Sequence, residues 1–187
     1  TSRRRMSSIA VASADASAIR LREIVQRDAV LAERLLRLAN TSYFATYGQV
    51  TGLQAAITRV GLREAALLLH TLVAHSLYAS GAQDKGQTAY RSGIWRHAWA
   101  RAAAMRFIAQ ARPDLELEPD LAYLAGLYSE VGGPFLLQAI HQVAPATPFA
   151  DAQDIVSRYH AEVGELMASA YQLPDPCALV AGRHHQA

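Results

Sequence analysis

Apolar residues along this chain recur at the three- and four-residue spacing of an α-helix, segment after segment, while the strict alternation of a half-buried strand is almost absent. That pattern predicts an all-α fold. Leu31, Leu35 and Leu38 fall at i, i+4 and i+7 behind Asp28, a residue type whose carboxylate can cap a helix, and Glu33, Arg34 and Arg37 turn elsewhere. This helix should end near Asn40, as an αL cap, with Tyr43 to Gly48 as a connecting loop. Thr51 is the expected N-cap of a short helix through Val60, broken at Gly61. A longer helix then aligns Leu62, Ala66, Leu69, Val73 and Leu77, with Leu68 and Leu72 beside them.

Ser80 to Gln87, with two glycines and an Asp-Lys pair, reads as the junction between an N-terminal helical lobe and the rest, the two packed through the helices of Leu69 and Trp95. A long helix should follow from Thr88 to Ala111 and stop before Pro113. Pro119 suits a first helical turn, and Gly132-Gly133-Pro134 closes one helix and opens another. Asp151 or Asp154 is expected to cap the next, with Tyr159, Val163, Leu166 and Ala170 along its apolar face. Pro174 and Pro176 begin a final helix carrying His184-His185.

With 187 residues, 51% of them hydrophobic, the chain can build one core or two small lobes sharing an interface. A net charge of +2, from 18 basic and 16 acidic residues, gives no strong nucleic-acid signal; Arg3-Arg4-Arg5 reads as a solvated tail. Cys177 is the only cysteine, which excludes an intrachain disulfide or thiolate zinc cage and suits a cytoplasmic location. No apolar run reaches the ~18 residues of a membrane span, and the start is too basic for a secretory leader. The opening at Thr1 suggests a fragment of a longer chain, with neighbouring domains.

Six segments, in order, carry a resemblance: "LRLANTSYF" from Leu36, "ITRVGLRE" from Ile57, "WRHAWA" from Trp95, "LAGL" from Leu124, "HAEVG" from His160, and "LPDP" followed by "RHH" at 183–185. Together they resemble the HDOD family of bacterial signalling domains, relatives of the HD metal-dependent phosphohydrolases. The resemblance implies a single domain over 1–187. A smaller N-terminal helical lobe at about 9–80 would precede an HD-related helical bundle at about 88–187.

The HD hydrolases place adjacent His-Asp metal ligands where this chain has Ser129-Glu130. A dinuclear centre needs imidazoles and a carboxylate that touches both ions; Glu130 has a longer stem and Ser129 is a poor ligand. The aligned pocket comprises His97, Arg101, Ser129, Glu130, His160 and His184, with His185 beside it. These residues read as a degenerate pocket with no catalytic residue, metal or cofactor. A residual mononuclear site from His97, Glu130 and a later histidine is the sharper alternative. Adjacent histidines on a helix point about 100° apart, so one of His184 and His185 should face the pocket and the other solvent. Trp95 and Trp99 read as core or lobe-interface aromatics.

The expected function is therefore a non-catalytic signal-transduction module, a regulatory domain that binds a signalling protein or a small regulator and relays a conformational change. Arg37, Tyr43 and Tyr47 are the candidate partner surface. A variant metal-dependent phosphohydrolase acting on a nucleotide or cyclic dinucleotide is the alternative. Between them lies binding of a nucleotide second messenger without hydrolysis, its phosphate held by His97, Arg101 and His160.

Overall fold

The structure is a computed structural model that describes residues 19, 21–44, 48–82 and 85–186, and among these every regular element is helical. A helical segment at 21–26 precedes α1 (Ala29–Ala39), α2 (Leu53–Val60), α3 (Leu62–Ala79) and α4 (Lys85–Ala111). A 3-10 turn at Pro113–Leu115 leads to α5 (Pro119–Tyr128), α6 (Gly132–Val143), α7 (Phe149–Ala170) and α8 (Asp175–Arg183). Arg3-Arg4-Arg5, the start of the expected N-terminal lobe and Tyr47 lie outside the described residues. Two compact units divide between Leu72 and Val73, so that Ser80 to Gln87 falls within the second.

In the first unit the Asp28 carboxylate accepts from the backbone N–H of Val30 at 2.8 Å and of Leu31 at 3.2 Å, as a helix N-cap should. Leu35 and Ala39 of α1, and Ala56, Ile57 and Val60 of α2, join Val25, Val50, Ala65 and Leu69 in one apolar cluster. Asn40 does cap α1, but at φ −100° and ψ 4° it is not left-handed. Its amide has a better use. Nδ2 donates to the carbonyls of Leu36 at 2.9 Å and Val50 at 2.8 Å, and Oδ1 accepts from the Val50 N–H at 2.8 Å. The side chain thus gives both backbone polar groups of Val50 a partner and ties the end of α1 to the segment before α2. Phe44 packs on the core, whereas Tyr43 stands 86% exposed against its ring edge.

Thr51 does not cap α2; Gly52, one residue later, does so without a side-chain bond, its carbonyl accepting from Ala56 N–H at 2.9 Å. Glycine is an acceptable N-cap, and the threonine signal misplaced the start by one residue. Gly61 ends α2 with φ +90°, a region that L side chains rarely adopt.

In the second unit α4 begins at Lys85, three residues before the expected Thr88. Glu118 caps α5 through its carboxylate, which accepts from Leu121 N–H at 2.7 Å, and Pro119 takes the first turn. A Cβ on Gly126 would lie 2.6 Å from Ala102 Cα, so the absence of a side chain lets α5 rest backbone to backbone on α4.

The burial of α7 corrects the sequence reading. Its inward residues are Ala152, Val156, His160, Gly164 and Ala168, while Tyr159, Leu166 and Ala170 are exposed. Small residues at four-residue steps permit close helix packing, which outweighs the larger apolar surface on the other face. Neither Asp151 nor Asp154 is the N-cap, a position taken by Pro148. Val73 and Trp99 are likewise exposed, whereas Ala74 and Tyr78 are buried and Trp95 packs edge-on against His75 at 5.0 Å. Helix α8 stops at Arg183, which leaves His184 as its cap and His185 beyond it.

Candidate functional site

The pocket in the second unit is assembled from four places. Helix α4 supplies Arg101, the turn between α5 and α6 supplies Ser129 and Glu130, α7 supplies His160, and the end of α8 supplies His184 and His185. Gly132 fixes the turn: a Cβ there would sit 2.6 Å from Gly164 N and still closer to the His160 carbonyl, so only glycine lets α6 start this near α7.

Ser129 is fully buried at the C-terminal end of α5. Its hydroxyl donates to the Gly126 carbonyl at 2.8 Å, which the Ser129 backbone N–H reaches at 3.4 Å, and accepts from Arg101 Nη1 at 2.5 Å. The same guanidinium nitrogen donates to Glu130 Oε1 at 3.0 Å, with the two side chains 30% and 15% exposed. Arg101 therefore holds both residues of the altered dyad.

Glu130 also faces two imidazoles, its Oε2 lying 3.6 Å from His160 Nε2 and its Oε1 3.4 Å from His184 Nε2. His160 Nε2 in turn is 3.3 Å from His184 Nε2 and 2.9 Å from His185 Nε2. His160 Nδ1 meets the Val156 carbonyl at 2.8 Å, and His184 Nδ1 meets those of Ala181 at 3.0 Å and Val180 at 3.2 Å. Burial pushes the His184 pKa below the usual histidine value, against the opposing pull of Glu130.

Of the residues proposed from sequence, the structure gathers Arg101, Ser129, Glu130, His160 and His184. His97 stands apart. It is exposed on α4, one turn before Arg101, and shares no hydrogen bond or ion pair with this cluster among the described residues. Both His184 and His185 face the pocket, where one of the two was expected to turn to solvent. The 100° argument assumed a continuing helix, but the chain leaves the helix after Arg183 and both rings turn to His160. Gly182, in the last turn, was the available stop signal. In the first unit Arg37 is exposed, its guanidinium meeting Glu33 at 3.5 Å, and Tyr43 is exposed two residues beyond the latch formed by Thr41 and Leu38.

Residues 4–187 match the family model of the HDOD domain. An uncharacterized protein of Treponema pallidum (strain Nichols) is 24% identical over 172 residues, which is 87% of this chain but 32% of that protein. Two crystal structures share the fold. One, a candidate metal-dependent phosphohydrolase from Shewanella amazonensis SB2B, has a TM-score of 0.65 at 18% identity, covering 90% of this chain and 66% of its own. The other, an HDOD domain protein of unknown function from Geobacter sulfurreducens, has a TM-score of 0.62 at 22% identity, covering 90% and 58%. The chain thus spans about a third of the Treponema protein, about two thirds of the Shewanella chain and 58% of the Geobacter chain.

Proposed function

This chain belongs to the HDOD family, and from that membership and the bonding of Glu130 we propose that it is a non-catalytic signal-transduction module. It binds a protein partner or a small regulatory ligand and relays a conformational change. The observation that carries this reading is Arg101. Dinuclear phosphoester hydrolysis requires a carboxylate free to touch two ions that together activate water. Here Glu130 Oε1 is taken by a guanidinium that also holds Ser129. A permanent cation on the chain supplies the charge that a second ion would bring and occupies the lone pair that would bind it. Tyr43 and Arg37, both exposed, are the partner contacts we assign on the first unit. The same pocket, with Arg101 as the anchoring cation, suits a nucleotide phosphate as regulatory ligand.

A variant phosphohydrolase is the second reading, favoured by the convergence of His160, His184 and His185. The test is an assay of the 187-residue chain with manganese, iron or magnesium on cyclic dinucleotides, nucleotides and an aryl phosphate, run beside Glu130→Ala. We expect no turnover above that variant, with saturable nucleotide or partner binding measured separately. Turnover abolished by Glu130→Ala would overturn the relay reading in favour of hydrolysis.

A further inference from the structure

The hydrogens of the histidine cluster are fixed by its carbonyls. A carbonyl only accepts, so the 2.8 Å contact of His160 Nδ1 with Val156 places the ring hydrogen on Nδ1. The contacts of His184 Nδ1 with Ala181 and Val180 do the same. In its neutral form each ring then presents a bare lone pair at Nε2, and these two nitrogens lie 3.3 Å apart. Neither can donate to the other. The Glu130 oxygens behind them, at 3.4 and 3.6 Å, are acceptors as well. His185 can donate to His160, but His184 Nε2 and Glu130 Oε1 remain opposed, and Arg101 relieves only the carboxylate.

Lone pairs gathered in this way repel one another unless a proton or a metal cation lies among them. We propose that His160, His184 and His185, whose ring nitrogens lie within 4.8 Å of one another, hold one divalent transition-metal ion, zinc foremost, with Glu130 beside them. Three imidazoles converge, and the nearest carboxylate oxygen, Glu130 Oε2, would complete the four ligands that zinc prefers. With bonds of about 2.0–2.1 Å, tetrahedral ligand atoms sit roughly 3.3–3.4 Å apart. The separations of 3.3 Å between His160 and His184 and 3.6 Å between His160 and Glu130 Oε2 lie near that edge, and 2.9 Å to His185 is a tighter angle. The Nδ1–H to carbonyl bonds are the outer support that orients metal-binding imidazoles. Glu130 would share itself, Oε1 towards Arg101 and Oε2 towards the ion, so the guanidinium limits the site to one metal. Bound there, the ion ties the end of α8 to α7 and to the Ser129–Glu130 turn. This departs from the expectation of no metal, and from the residual site that included His97.

The test uses the 187-residue chain, stripped with chelator and titrated with zinc against a chromophoric competitor, then loaded with cobalt for its visible spectrum. We expect one equivalent of zinc, a tetrahedral cobalt spectrum and a metal-dependent rise in Tm. His185→Ala, at an exposed position, should weaken binding about tenfold or more, while His97→Ala should leave it unchanged. Folded wild-type protein, by circular dichroism, that takes up no zinc saturably would overturn the site, as would two equivalents or equal weakening in both variants. Turnover by the zinc form would count against the relay reading alone, since the site stands on its own geometry.

Discussion

Arg101 is the residue on which the pocket's electrostatics turn. It donates to a buried hydroxyl and to a carboxylate that is 15% exposed, so its removal leaves two acceptors short of a donor. Charge-assisted bonds of this kind contribute more than neutral ones, but partial exposure screens the pair. Arg101→Met should therefore lower stability by about 1–2 kcal/mol. In a chemical-denaturation cycle with Glu130→Gln, the double variant should lose less than the sum of the singles. Additive losses would mean that the two side chains do not depend on each other. The charge and size changes at Ser129 and Glu130 were legible in sequence; the guanidinium as their common partner was not, because the contact joins residues 28 and 29 positions apart.

At the scale of elements, Gly61 gives the sharpest prediction. Its φ of +90° with ψ of 144° is open only to glycine at low cost, and a Cβ there would touch nothing within 4 Å. The penalty is thus in the backbone and not in packing. Gly61→Val and Gly61→Ala should both destabilise, by about 1–3 kcal/mol, as measured by thermal or urea unfolding. An unchanged midpoint for Ala would refute the strained turn. This glycine was readable because it interrupts two apolar periodicities. The inward face of α7 was not, because Ala152, Gly164 and Ala168 carry little apolar surface and His160 reads as polar, although close approach to α6 and α8 is what places them inside. Helix existence followed from spacing; caps slipped where glycine or proline took a position that Thr51 or Asp151 could equally have filled.

Across the whole molecule, each unit has its own buried cluster, and among the described residues no helix is long and apolar enough to cross a membrane. The lone cysteine gives a probe of the second unit. Cys177 is fully buried on the inner face of α8, and burial pushes its thiol up to about 11. At pH 8 roughly one thiol in a thousand would be ionised, against about a quarter for a free thiol. Native protein should accordingly resist an aromatic disulfide reagent until it opens, then release one equivalent per chain on denaturation. Prompt labelling at native conditions would contradict the packing of α8. In the first unit, the amide of Asn40 clasps Val50 across the loop that bears Tyr43. The entropy of holding Asn40 against Val50 is lost during folding and not at an encounter. A partner docking on Tyr43 would meet a preorganised surface, and its affinity would suffer less from ordering than contact with a free tether would.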